Sequence, residues 1–406
     1  MHFFIVIFEQ LIPISGGGTP RIFNIIKAIN KRGHEVSIAA SFNTDIKNVR
    51  KIFQSHNVFP LKLISRLDEY KIKKYLLFHP INIFKVIMSI IRTKPDIIIA
   101  HNSIAGISGL LSKKITGCKL VVDMTDLIFE YISYYSNENY FTKILLTIGR
   151  KIEKMVVKNA DKIITMSQAM KEILYKIKHN NIDVVYDGVN TKIFNLIKKD
   201  GYTLKNQYAA GFKNVILFHG VIDPQDRPEI IVEAAKHVLI RNPSTMFWIV
   251  GDGAAVPVMK ERISKNKMEK FFFFTGWVPY REVPIFISAC DLGLVILPHT
   301  TSEEVRITLK TYEYWACEKP IIAAELKALK EVVTPWETGL FYKPGDPCDL
   351  AEKINTLLNN KDICIKMGKR GRRLVEKKYS WDALAMEFVL LCENMPAINS
   401  RKITQG

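Results

Sequence analysis

Two hydrophobic periods alternate along the whole 406-residue chain. Short apolar runs, alternating or continuous, predict strands; the stretches between them repeat apolar residues every three to four positions and predict amphipathic helices. In the first half the expected strands are Phe3–Phe8, Glu35–Ala40, Ile97–Ala100, Leu120–Asp123, Lys162–Thr165 and Asp183–Tyr186. Helical patterns such as Pro20–Asn30 and Ile104–Lys114 lie between them. The second half repeats the scheme, with strands expected at Asn214–His219, Thr245–Val250, Phe271–Phe274, Leu292–Leu297 and Pro320–Ala324. Helices are expected there at Pro228–Ile240, Arg281–Cys290 and Leu350–Asn359. Strand–helix–strand alternation over this length predicts an α/β fold with parallel, doubly wound sheets.

The segment Asn195–Lys213 has no clean period and contains Gly201 and Gly211. It is read as the junction between two Rossmann-like domains, residues 1–198 and 199–385, with 386–406 as a tail that packs back on the first. A chain this long exceeds one core and suits two domains of roughly 150–200 residues. In such sheets ligands bind outside the carboxyl ends of the strands, so two facing domains would hold a ligand in the cleft between them.

Charge sharpens this division. Residues 1–200 carry 30 Lys and Arg against 16 Asp and Glu, whereas residues 201–406 carry 28 against 24. The first half is therefore read as the partner for an anionic surface (membrane lipid, a lipid phosphate or nucleic acid), the alternative being a Lys-rich lineage habit with no such partner. Nucleic acid is set aside because no RNP-like aromatic strand or recognition-helix motif is present. No window offers the ~18 uninterrupted apolar residues of a spanning helix, and the opening MHFFIVIFEQ reads as a first strand. The six cysteines lack metal-ligand spacing, which leaves no metal site and fits free thiols in a reducing cytoplasm.

The segment RITLKTYEYWACEKPIIAAE, Arg306 to Glu325, places Lys310 and Glu313 three residues apart on one helix face. A helix N-terminus already attracts anions, so Lys310 there makes a phosphate site and leaves Glu313 to accept from sugar hydroxyls. The competing reading is an ordinary surface ion pair between the two. Gly16, Gly17 and Gly18, followed by Thr19-Pro20, open a helix after the first strand. They let a backbone approach a phosphate, or simply form a flexible loop. Asp187-Gly188 and Gly251-Asp252-Gly253 are strand-end turns.

Taken in order, these elements resemble one family. The Gly-rich loop, ITMSQAM, VVYDGVN, LFHGVI, WIVGDG, FFFTGWVP, KTYEYWACEKPIIAAE, ETGLFYKPGD and YSW are similar to the motifs of the retaining glycosyltransferases of family 4. The resemblance runs from about Phe3 to Glu393. It implies the GT-B fold, two Rossmann-like domains facing across a cleft, and sugar transfer from a nucleotide-diphosphate sugar with retained configuration and no metal or other cofactor. It further implies that Glu313 holds the ribose hydroxyls and that Lys310, preceded by Leu309 in the L-K-x-x-E variant, faces the diphosphate. Gly220, Gly251, Gly276 and Trp277 lie at strand-end loops of the donor domain, the last two near the base. Gly16 to Gly18 match the loop that closes over the diphosphate and sugar.

Three positions depart from the pattern. Val305 stands where the first glutamate of E-x7-E belongs, and Glu303 or Glu304 replaces it only if the loop is realigned. In the basic pair after the linker, Gly220 is followed by Val221 and the lysine position holds Asp226; Arg227, the nearest cation and able to grip phosphate bidentately, is expected to take the lysine's place at the diphosphate. Glu318 occupies the glycine of the A-x-G-x-P turn. On the acceptor side, VVDMTDL puts Thr125 where relatives have histidine and keeps Asp126, which either orients an acceptor hydroxyl or caps a helix. His101 ends another strand, as a cleft residue or a structural one. Ser167 reads as an N-cap. The basic, apolar stretches Lys71–Lys94 and Leu145–Lys162 are either membrane-surface helices or buried helices flanked by solvated lysines. The expected partners are a nucleotide-sugar, a glycan or lipid-linked acceptor, and an anionic membrane contacted peripherally at the inner, cytoplasmic face.

Overall fold

A computed structural model describes residues 1–9, 11–12, 18–41, 44–55, 57–61, 80–135, 140–177 and 180–396 of the chain. It divides into two units, Met1–Tyr186 together with the chain from Asp382 onward, and Asp187–Trp381. Gly16 and Gly17, like Lys71 to His79, lie outside the described residues.

The first unit is a seven-stranded parallel sheet of β1 (His2–Val6), β2 (Glu35–Ser41), β3 (Val58–Leu61), β4 (Ile97–His101), β5 (Lys119–Met124), β6 (Lys162–Thr165) and β7 (Ile182–Val184). Its order is β3-β2-β1-β4-β5-β6-β7, so the strand order reverses between β1 and β4, a switch point of the doubly wound kind. The central strands are buried on both faces. Phe3, Phe4, Ile5, Ile97, Ile98 and Val121 are fully enclosed, which is why they read as continuous apolar runs. The final helix, Trp381–Glu393, belongs to this unit from Asp382 on. Its Phe388 ring lies 5.6 Å from the Arg21 guanidinium, and Glu393 pairs with Arg32 and His34.

The second unit has six parallel strands, β8 (Asn214–His219), β9 (Thr245–Val250), β10 (Phe272–Gly276), β11 (Leu292–Val295), β12 (Ile321–Ala324) and β13 (Gly339–Tyr342), ordered β10-β9-β8-β11-β12-β13. Its switch point is between β8 and β11. The fold therefore has the α/β, doubly wound character expected in both halves.

Sequence and structure part at three places. β3 and β13 were not anticipated; both are four-residue edge strands, and Pro60 weakens the strand signal of the first. The aperiodic segment after Asn195 contains helix Lys198–Tyr208, which packs on helix Val283–Ala289 inside the second unit. The division thus falls after Tyr186 rather than at 198. Gly201 is a packing residue, because a Cβ there would lie 2.8 Å from the Ser288 backbone.

Candidate functional site

In the first unit, polar groups gather at the carboxyl ends of β1, β4 and β5. His101 ends β4, and Asp123 lies near the end of β5. His101 Nδ1 is 2.9 Å from Asp123 Oδ2, and Arg21, in the first turn of helix Thr19–Lys31, donates from Nε to Asp123 Oδ1 at 2.9 Å. All three side chains are essentially enclosed, at 2% exposure or less. Burial works to raise the Asp123 carboxyl, but Arg21 and His101 outweigh it and hold it below its ordinary range. For His101 burial works downward, and Asp123 with the more distant Glu9 and Asp126 raises the imidazole above its ordinary value. Its Nε2 is buried with no hydrogen-bond partner and faces Gly18, where a Cβ would lie only 2.2 Å away. Gly18 is therefore the space into which His101 aims.

Asn102 ties the two strand ends together. It has the left-handed φ of 64°, and its Oδ1 accepts from the backbone N–H of Thr125 and of Asp126 at 2.9 and 3.1 Å. Thr125 Oγ1 donates to Asp126 Oδ2 at 3.0 Å. Asp126 is thus held beside the strand end, and Ser167 accepts from Met170 N–H as the N-cap of helix Gln168–Tyr175. Arg21, Asn102 and Asp123 carried no local sequence signal, since their partners lie 102, 23 and 22 residues away.

In the second unit, Lys310 and Glu313 both lie on helix Leu309–Ala316, which begins at the extended residue Thr308. They do not pair with each other. Lys310 Nζ lies 4.5 Å from the Phe218 ring centroid and donates to Asp226 Oδ2 at 3.2 Å. Glu313 Oε1 accepts from the Tyr280 hydroxyl at 2.8 Å, and its Oε2 is 3.6 Å from His219 Nε2. Burial raises the Glu313 carboxyl to about 7, against the opposing pull of Tyr280 and Lys310. Burial and then Lys310 lower His219 to about 3, so its imidazole is neutral. The surface ion-pair reading of K-x-x-E is replaced by two separate polar seats.

Backbone geometry makes room for these groups. Gly220 follows β8 at φ 112°, and a Cβ there would meet Lys310 Cε at 2.9 Å. Gly251 follows β9 at φ 128° and donates to Gly276 O, where a Cβ would strike Gly220 O at 2.0 Å. Gly220, Gly251 and Gly276 thus close the ends of three adjacent strands, with Trp277 67% exposed beyond them. Leu309 is half-buried at the first helical position.

The departures from the family pattern have distinct fates. Val305 is 2% exposed. Glu304 turns to the next helix, accepting from Lys327 N–H at 2.9 Å and pairing with His299, so the structure does not bring it to Lys310 and Glu313. Glu303 turns inward instead, accepting from Arg306 Nε at 2.6 Å and from Gln225. Asp226 bridges Arg306 and Lys310. Arg227 is exposed, with φ 49°. Glu318 has φ 57°, which explains why glycine is usual at that turn.

Comparison with known proteins matches both units. Residues 15–193 fit the model of Glycosyltransferase Family 4, and residues 203–374 that of Glycosyl transferases group 1. An uncharacterized glycosyltransferase of Methanocaldococcus jannaschii is 29% identical over 59% of this chain, which spans 61% of that relative. The alpha-monoglucosyldiacylglycerol synthase of Acholeplasma laidlawii is 22% identical over 98% of each chain. Among solved structures, Anabaena HepE in complex with UDP-glucose superposes with a TM-score of 0.77 at 17% identity, over 97% of this chain and 99% of that one. With two family models covering its two Rossmann-like units, the chain belongs to the family 4, group 1 glycosyltransferases of GT-B fold.

Proposed function

We propose that the protein transfers a sugar, with retention and without a metal, from a nucleotide-diphosphate sugar to a glycan or lipid-linked acceptor. The observation that carries this reading is the pair of seats on helix Leu309–Ala316. A cation stands over the glycine-lined strand ends, and one turn further on lies a carboxyl flanked by Tyr280 and neutral His219. A diphosphate leaving group gains negative charge as the sugar ring gains positive charge. A fixed cation at the diphosphate therefore favours the transition state over the ground state. Glu313 suits ribose hydroxyls, which donate to a carboxylate. In the first unit, His101 Nε2 and Asp126 are assigned to the acceptor hydroxyl, with Asp123 and Arg21 fixing the imidazole.

The Anabaena neighbour holds UDP-glucose, and the Acholeplasma relative is named for a lipid product. The first supports a nucleotide-sugar donor, and the second supports a lipid acceptor. A lipid-linked acceptor also accounts for the outer surface of the first unit. Helices Pro80–Thr93, Asn102–Thr116 and Tyr140–Asn159 pack in succession. Their sequences hold nine Lys and Arg but one carboxylate, Glu153, which is buried and accepts from Ser103 Oγ. Phe84, Ile115 and Ile148 are 63%, 61% and 48% exposed on them. Lys113 and Arg150 pair with Asp161 and Glu130 from neighbouring segments, but the face keeps an excess of cations, and apolar side chains among them suit an anionic bilayer at the cytoplasmic face. Among the described residues no helix is long and apolar enough to cross a membrane.

Val305 and the acid at 226 favour a second reading, a catalytically silent binding subunit of a glycan-assembly complex. Titration with nucleoside diphosphates tests the donor seat: Glu313→Ala is expected to weaken UDP or GDP binding at least tenfold. Unchanged affinity would remove the ribose assignment.

A further inference from the structure

The donor seat contains an anion of its own. Asp226 presents one carboxylate oxygen to each of two cations, Oδ1 to Arg306 Nη2 at 2.8 Å and Oδ2 to Lys310 Nζ at 3.2 Å. Its side chain is 9% exposed, and those of Lys310 and Arg306 are 13% and 23% exposed. The acid comes from a different segment than the cations. It ends the short 3₁₀ turn Pro224–Asp226, whose start is held by Asp223 accepting from Gln225 N–H. Arg227 follows immediately in the left-handed region, φ 49° and ψ 51°, a conformation that costs a non-glycine residue about 1–2 kcal/mol.

Both cations are anchored without Asp226. Arg306 Nε donates to Glu303, whose side chain is fully buried and which is itself held by Gln225. Lys310 is held by the Phe218 ring and by the space that Gly220 leaves for its stem. Removing the Asp226 carboxylate would thus leave an oriented pair of donors, spaced to grip two oxygens of one anion. A phosphate group offers the same kind of oxygen pair as a carboxylate.

Resting on the donor-site reading above, we infer that Asp226 is a built-in stand-in for the donor's diphosphate. Arg306, with Lys310, is the cation pair that takes the diphosphate when the carboxylate gives way. Arg227, the exposed residue that follows Asp226, is not the second cation. Asp226 then acts as a positioning residue that keeps two like charges together in the unliganded protein and competes with the incoming anion. A carboxylate close to both cations opposes a diphosphate electrostatically, so its removal strengthens diphosphate binding.

The test is calorimetric titration of UDP and of GDP into the full chain and three variants at fixed, low salt. Asp226→Asn is expected to bind its nucleotide at least tenfold tighter than the parent, about 1.4 kcal/mol. Arg306→Ala is expected to bind at least tenfold weaker, and Arg227→Ala within twofold of the parent. Asp226→Asn binding no tighter than the parent, or Arg227→Ala losing as much as Arg306→Ala, overturns the inference while leaving nucleotide binding by the parent intact. Failure of both the parent and folded Asp226→Asn to bind either nucleotide overturns the donor-site reading itself. Should Asp226→Asn not fold, a crystal structure of the parent with UDP decides. Arg306 and Lys310 on the β-phosphate with Asp226 turned away supports the inference. Asp226 still bonded to both cations, with the diphosphate elsewhere, refutes it.

Discussion

Glu313→Gln separates stability from function in a single residue. The Glu313 carboxyl is 6% exposed and its pKa is pushed from an ordinary 4.5 to about 7, chiefly by burial. Below pH 4.5 the side chain is protonated in folded and unfolded chains alike and contributes no pH dependence. Between 4.5 and 7 the unfolded chain releases a proton that the native protein keeps, so stability falls as pH rises. Above about 7 the full cost is present. At about 1.36 kcal/mol for each unit of pH, this comes to about 3 kcal/mol. An amide of the same shape carries no ionisation cost. Its oxygen still accepts from Tyr280, and its nitrogen replaces the oxygen now 3.6 Å from His219 Nε2. Glu313→Gln is therefore expected to stabilise the second unit by about 1–3 kcal/mol at pH 8 and by nothing measurable at pH 4.5. The assay is urea unfolding of parent and variant at half-unit steps from pH 4.5 to 8.5, followed through Trp fluorescence. A pH-independent difference, or a variant less stable at pH 8, would refute the reasoning. The variant should lose nucleotide affinity in the same samples, because a neutral amide accepts ribose hydroxyls less strongly than a carboxylate.

Other substitutions probe the remaining seats. Gly18→Ala places a methyl against His101 Nε2, 2.2 Å away before relaxation; it should lower transfer at least tenfold, and a parent-like rate would mean that His101 does not serve from that position. Asp123→Asn removes the carboxylate shared by buried Arg21 and His101 and should destabilise the first unit by about 3–5 kcal/mol in thermal unfolding. Glu318→Gly relieves the φ of 57° and should raise stability by up to about 1 kcal/mol, whereas a loss would show that the Glu318 side chain holds the turn. Phe84→Glu combined with Ile148→Glu should abolish co-sedimentation with phosphatidylglycerol vesicles. Undiminished pelleting would exclude this three-helix face as the contact.

The chain order of secondary structure was legible because buried parallel strands must be apolar at every position, as in Ile97–Ala100 and Ile321–Ala324. Edge strands escape that constraint on one side, and VFPL and GLFY gave correspondingly little signal. Helix Lys198–Tyr208 was hidden because it is largely polar, and its glycine, needed for close packing on Ser288, imitates a linker. Within the site, Lys310 and Glu313 could be read because one helical turn joins them. The partners that define their chemistry, Asp226, Tyr280 and His219, arrive from other strand ends and leave no spacing to detect. The same holds for Arg21, His101 and Asp123, brought together from α-helix and two strands by the sheet order alone. Arg306 was in plain view at the head of the motif, three residues after Glu303, yet its second partner, Asp226, comes from 80 residues away and leaves no local signal.

The central claim is sugar transfer from a nucleotide-diphosphate donor, and the most direct measurement is nucleoside diphosphate release from a panel of such donors. The protein would be incubated with membrane-lipid extract as acceptor and the product anomer read by NMR. The account predicts release with at least one donor, stimulated by the extract, giving a product of unchanged anomeric configuration, and lost in Lys310→Ala. Tight nucleotide binding without release from any donor, with or without extract, would contradict it and leave a silent binding subunit.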